Sequence, residues 1–165
     1  MKLAIINQIP AARERVFAAL VDAAVLRRTI PGCESLTSTG PDAYEATLRI
    51  GVAGLKGTYA GKAAVRDKRP PDSLTLAFEG RNRTGFVSGS AAIALSAGES
   101  SAGSAAGRET SMTAVVCEAD VQVGGLIAAV GSRLVEAAAR KLAADFFREL
   151  SMALQWSDQE DAARL

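Results

Sequence analysis

The sequence contains no histidine. Histidine is the side chain that exchanges a proton near neutral pH and the commonest zinc ligand. Its absence removes the usual general base, the Ser/His and Cys/His nucleophile pairs and most zinc sites. Hydrolytic chemistry is the class most directly excluded. Cysteine is scarce as well: Cys33 and Cys117 stand far apart with no CxxC spacing, so thiolate metal binding is disfavoured. Each reads as a small buried or loop residue, and the reducing, cytoplasmic setting expected of a chain without signal-like or membrane-spanning runs disfavours a bridge between them. Leu3-Ala4-Ile5-Ile6 is the leading apolar run, about four residues against the ~20 that a membrane span needs. Charge of either sign is nearly balanced, with a net of +1. There is no general electrostatic drive towards nucleic acid or an anionic membrane, and no nucleic-acid partner is expected.

What the chain does have is periodicity. Its 165 residues suit one domain with a real core, expected over residues 1–154, with residues 155–165 as a polar tail. Lys2 to Ile9 reads as a strand. Pro10 then opens a helix in which Val16, Phe17, Leu20 and Val21 share a face, and a second short helix spans Ala23 to Thr29 before Pro31-Gly32. Ser35 to Ser38 is a short strand, and Gly40-Pro41-Asp42 is a turn by its chemistry. From there the period is two. Tyr44, Ala46, Leu48, Ile50 and Val52 align on one face of the next strand. Tyr59, Gly61, Ala63 and Val65 follow the Gly54-Leu55-Lys56-Gly57 turn, then come Leu74, Leu76 and Phe78, and then Val87, Gly89, Ala91, Ile93 and Leu95. Ala97 to Glu109 is a Gly/Ser/Ala loop. A last strand, Met112 to Val123, aligns Val115, Cys117, Ala119, Val121 and Val123.

The closing segment, Leu126 to Leu154, is predicted to be one long helix. Val135, Ala139, Leu142, Phe146 and Leu150 form its apolar stripe, with Arg133, Glu136, Arg140, Lys141 and Arg148 elsewhere. Its first turns, Leu126 to Gly131, carry little bulk. The sheet face meant to receive the helix is also mild, through Gly61, Ala63, Gly89, Ala91 and Ala119. Small residues on both sides permit close helix-on-sheet packing, or leave a cavity that larger side chains would otherwise fill. Strand glycines equally permit sheet curvature.

The order of one strand, two short helices, a six-strand meander and a long helix resembles the helix-grip fold of the START-related and polyketide-cyclase (SRPBCC) superfamily, an α+β fold. There a curved antiparallel sheet of about six or seven strands wraps a long C-terminal helix. Within it, Ile30-Pro31-Gly32-Cys33-Glu34-Ser35-Leu36, the stretch from Gly51 to Gly61, Gly124-Gly125, Gly131-Ser132-Arg133-Leu134 and Asp145-Phe146-Phe147 resemble the family of the carbon monoxide dehydrogenase G subunit. That resemblance implies a non-catalytic accessory protein without an intrinsic cofactor. It implies a cavity for a hydrophobic small molecule, a quinone or lipid, and as partner a molybdenum hydroxylase of the carbon monoxide dehydrogenase type. It also implies peripheral contact with the inner face of the membrane, which many members reach through a C-terminal segment where this chain has the polar stretch from Gln155 to Asp161. A polyketide cyclase or aromatase, or an assembly factor without ligand, are the alternatives. Cyclisation needs positioned acid and base groups, and the apolar strand phase offers only tyrosines.

The residues expected to line the ligand site are Tyr44, Leu48, Tyr59, Phe78, Val87, Val115 and Cys117 from the sheet and Leu126, Val130 and Leu134 from the helix. Apolar contact should dominate there, with a few polar groups setting orientation. The Tyr44 and Tyr59 hydroxyls need partners if buried, and a quinone carbonyl, the backbone or water would each serve. Pro31-Gly32-Cys33 is expected to shape one rim, and Arg81 and Arg83 to sit on a loop near a mouth.

Overall fold

The computed structural model describes residues 1–52, 55–98 and 112–163. Strand β1 (Lys2–Ile9) leads to helices α1 (Arg13–Leu20) and α2 (Ala23–Thr29). Strands β2 (Cys33–Gly40), β3 (Ala43–Ile50), β4 (Gly57–Arg69), β5 (Ser73–Asn82), β6 (Gly85–Ala97) and β7 (Thr113–Gly125) follow, and then helix α3 (Ser132–Ala163). The strands form one antiparallel sheet in the order β1-β7-β6-β5-β4-β3-β2. This is an α+β protein in which β2 to β7 run as a meander and β1 closes onto β7, Leu3 opposite Ala119 and Ile9 opposite Thr113.

Local chemistry sets several boundaries. The Asp22 carboxylate accepts hydrogen bonds from the Ala24 and Val25 amides, which caps α2. Gly32, at φ 74°, turns the chain out of α2 against β3. A Cβ there would run into the Arg49 carbonyl oxygen, so only glycine fits. In the β5–β6 hairpin the Asn82 carboxamide oxygen accepts from the Thr84 amide and hydroxyl and from the Gly85 amide. Two elements differ in their bounds from the sequence reading. Helix α1 begins at Arg13 rather than at Pro10, and ends at Leu20. Strand β2 extends beyond Ser35–Ser38 in both directions, because pairing with β3 supplies what its weak alternation lacks. The Gly/Ser/Ala loop lies almost wholly outside the described residues, as does the start of the Gly54–Gly57 turn.

The long helix also departs from the sequence reading. Leu126–Val130 forms a separate 3-10 turn bracketed by Gly125 at φ 77° and Gly131 at φ 97°. A residue with that φ cannot continue an α-helix, so α3 starts afresh at Ser132 and then runs through the segment from Gln155 set apart above as a tail. The turn hangs from the hairpin, since the Leu126 and Ile127 amides both donate to the Thr84 carbonyl. Beyond the break Val135 and Leu150 of the expected stripe are buried and Ala139, Leu142 and Phe146 half-buried, whereas Ala138 and Phe147, which the stripe passes over, are buried; Arg133, Arg140, Lys141 and Arg148 are exposed.

The core sits between α3 and one face of the sheet, and it is uneven. Towards β1, β7 and α1 it is filled: Ile9, Val16, Val115 and Leu150 have no exposed surface, and Phe17, Phe147 and Leu154 pack with them. Buried hydroxyls there are satisfied, Thr113 donating to the Ala11 carbonyl at 2.6 Å and Thr29 to the Val25 carbonyl at 2.9 Å. A smaller cluster of Leu55, Tyr59, Ile127 and Ala138 closes the other end. Between the two lies the site.

Candidate functional site: an apolar cavity under the helix

A cavity of about 450 Å³ separates α3 from the β3–β5 side of the sheet. Alternation places Tyr44, Ala46, Leu48 and Ile50 of β3 on its wall, with Tyr59, Gly61, Ala63 and Val65 of β4 and Leu74, Leu76 and Phe78 of β5 beside them. From above, Val135, Ala139, Leu142, Ala143 and Phe146 of α3 face it at helical spacing. Helices α1 and α2 contribute Leu20 and Leu26. Gly61 and Gly80 are cross-strand partners, and a Cβ on either would meet nothing closer than 3.6 Å. A Cβ would thus fit at either position in ordinary contact, without displacing a neighbour. Lys62 and Glu79 border the cavity beside this pair, but their phase is that of the opposite face and both are exposed.

Of the ten residues expected to line the site, Tyr44, Leu48, Tyr59, Phe78 and Val87 do so. The other five do not. Val115 has no exposed surface and Cys117 packs against the same filled cluster, because β7 lies on the side that α1 and the second half of α3 cover. Leu126 is 70 % exposed and Leu134 39 % exposed, and Val130 lies outside the cavity. The sequence phases all three as one continuous helix, and the Gly131 break removes that phase. The same correction applies to the small residues. Gly61 and Ala63 line the cavity, whereas Gly89, Ala91 and Ala119 do not. A Cβ on Gly89 would run into the Asp120 carbonyl of β7 and meet the Phe78 ring of β5 at 3.1 Å, so the neighbouring strands already fill that gap. Leu20, Leu26, Ile30 and Leu36 also line the cavity, which the sequence reading misses. The signal for Leu20 is the apolar face of the first helix, and for Leu26, Ile30 and Leu36 a set of apolar positions leading into and out of the Pro31-Gly32 turn.

Both tyrosine hydroxyls are engaged within the protein. Tyr44 donates to the Val21 carbonyl at 2.7 Å and Tyr59 to the Leu55 carbonyl at 2.8 Å. Burial raises the pKa of both, opposed for Tyr59 by a hydrogen bond from Asn82 and reinforced for Tyr44 by the nearby Asp42 carboxylate. A group whose pKa is higher folded than unfolded contributes stability that is complete below the unfolded value, about 10 for tyrosine, and lost as pH rises through the folded one. Absorbance titration of the two tyrosines should therefore show midpoints above about 10, with stability falling over the same alkaline range. Midpoints at or below that value would mean the hydroxyls are solvated. Tyr59→Phe should lower stability by about 0.5–1.5 kcal/mol in thermal melts, because it leaves the buried Leu55 carbonyl without its donor. An unchanged melt would show that this bond contributes nothing.

Neither thiol is poised to react. Burial raises the pKa of Cys117 and of Cys33, in the latter against the pull of Arg27, and Cys33 donates to the Ser35 carbonyl at 3.3 Å. Both cysteines are free. Among the described residues no cluster of three His, Cys, Asp or Glu residues is placed to hold a metal ion. No helix among them is long and apolar enough to cross a membrane.

Comparison with known proteins gives the same fold over nearly the whole length. A conserved protein of Geobacillus kaustophilus superposes with a TM-score of 0.84 at 29 % identity, covering 95 % of this chain and 97 % of that one. A protein of Rhizobium leguminosarum (TM-score 0.63, 16 % identity, 94 % of each chain) and one of Thermus thermophilus (0.64, 14 %, 95 % and 99 %) share the fold at lower identity. No curated protein matches. Residues 7–155, which span the whole cavity and its covering helices, match the profile of the carbon monoxide dehydrogenase G subunit (CoxG), and the chain belongs to that family.

Proposed function

We propose that this protein is a non-catalytic accessory factor of helix-grip type. On this reading it shields a hydrophobic small molecule, quinone- or lipid-like, beneath α3 and serves a molybdenum-containing oxidoreductase of the carbon monoxide dehydrogenase type. One observation carries it: the cavity of about 450 Å³ is walled by apolar side chains, and the hydroxyls on its wall are already bonded to the backbone. Such a wall offers no acid–base pair for cyclisation. It offers burial, at about 25 cal/mol per Å² of apolar surface, which suffices for affinity without charged contacts. The volume is within the roughly 300–1,000 Å³ of small-molecule sites. The family name supports the dehydrogenase as partner. The exposed turn carrying Leu126, seated on the hairpin loop that holds Arg83, is the surface we assign to peripheral membrane contact.

The test pairs titration with decylubiquinone and pull-down from a host expressing the hydroxylase. Binding of the neutral quinone should change less than about twofold between about 50 and 500 mM salt, since no exposed charge pair contributes. The hydroxylase should co-purify. If neither quinone nor hydroxylase binds while a polyketide intermediate is turned over, the protein is an enzyme of the cyclase type and the reading fails.

A further inference from the structure

A second space adjoins the cavity. It is an open cleft of about 330 Å³ between the end of α2 and the middle of α3, lined by Arg27, Arg28, Ile30, Pro31, Asp145 and Arg148 among others. Ile30 and Pro31 line the apolar cavity too, so the two spaces lie on either side of this dipeptide. The flanking elements divide in the same way. On α2, Leu26 faces the cavity while Arg27 and Arg28 face the cleft. On α3, Leu142 and Phe146 face the cavity while Asp145 and Arg148 face the cleft. A polar space thus lies beside the apolar one, with the division falling between adjacent residues of both helices.

The charges of the cleft are unevenly paired. Asp145 is held by Lys141 at 3.1 Å and by Arg148 at 3.0 Å. Glu149 is the other carboxylate on its wall. Arg27 and Arg28 are exposed, and among the described residues neither has an ion-pair partner. Cations therefore outnumber carboxylates around the cleft, and the two unpaired guanidiniums lie on the α2 side of the Ile30–Pro31 boundary. A guanidinium is a planar fork of donors that matches a carboxylate with two parallel bonds. A purely neutral ligand would leave this end of the site unused.

We infer that the cavity takes a single-chain amphiphile with a carboxylate head, its chain under α3 and its head across the Ile30–Pro31 rim at Arg27 and Arg28. The inference rests on the cavity being a hydrophobic-ligand site and adds the class and orientation of the ligand.

Dodecanoate and 1-dodecanol, equal in chain and different in head, separate the two ideas when titrated into the full chain. The acid should bind about tenfold more tightly than the alcohol at low salt, and its advantage should shrink as salt is raised, while the alcohol stays constant. Arg27→Gln combined with Arg28→Gln should erase the advantage without changing alcohol binding. Arg27→Lys with Arg28→Lys should retain part of it, since charge survives and the fork does not. Both arginines are exposed, so these variants fold. If acid and alcohol bind equally, or the acid's advantage survives the glutamine pair, the head site is overturned and the cavity reading stands. If acid, alcohol and decylubiquinone all fail to bind, the cavity reading fails and the head site with it.

Discussion

Ala63→Leu is expected to weaken uptake of decylubiquinone by at least about 30-fold, roughly 2 kcal/mol of binding free energy, while costing under about 1 kcal/mol of stability. Ala63 lies mid-strand on β4, opposite Tyr44 of β3 and Phe78 of β5, and all three border the cavity. A leucine here projects its added carbons into empty space rather than into a neighbour. The void that accepts them is the one a ligand would use. Ala91→Leu is the matched control. Ala91 is on the same face of the sheet, opposite Leu76 and Ala119, but it is 5 % exposed and does not line the cavity. Added volume there overpacks and should cost about 1–3 kcal/mol. Calorimetric titration and thermal melts of the two variants decide the matter. If Ala63→Leu destabilises as much as Ala91→Leu, the space beside Ala63 is filled in solution.

The parts of this fold that the sequence makes legible are those written in a period. Tyr44, Leu48, Tyr59, Phe78 and Val87 can be placed on the inner wall because strand alternation fixes which face a side chain occupies. Val135, Ala139, Leu142 and Phe146 can be placed because the helical stripe is unbroken over that stretch. What alternation cannot tell is where along a face the neighbours run out. Val115 shares the phase of the cavity residues, but its end of the sheet is covered by α1 and by Phe147 and Leu150. Gly89 looks like a gap when read along β6 and is closed by the Asp120 backbone of β7 and the Phe78 ring of β5, a cross-strand event that one strand's sequence does not contain. The Gly131 break is illegible for a different reason. An apolar, alanine-rich run with one glycine fits a continuing helix as well as it fits a turn, and only the left-handed φ distinguishes them.

The helical phase carries the second large effect. Phe147→Ala is expected to cost about 3–5 kcal/mol and Phe146→Ala less than half of that. The sequence stripe marks Phe146 as core and passes over Phe147. In the structure Phe147 is 5 % exposed within the filled cluster, whereas Phe146 is only partly buried and borders the cavity. Truncating Phe147 opens a new hole among atoms that touch it on every side, and the rigid surroundings of Leu150 and Ile9 cannot collapse into it. Truncating Phe146 enlarges a void that already exists, so one side of the ring has few contacts to lose. The two rings meet edge-to-face at 5.1 Å and 65°. That contact, worth roughly 0.5–1.5 kcal/mol, disappears in either single variant and is common to both. The difference between them therefore measures the cavity rather than the aromatic pair. Urea denaturation of both variants, with the double variant to isolate the shared contact, reads it directly. Equal losses would mean Phe146 is packed all round. The apolar space under α3 would then be smaller than a quinone ring requires, and the carrier reading would lose its physical basis.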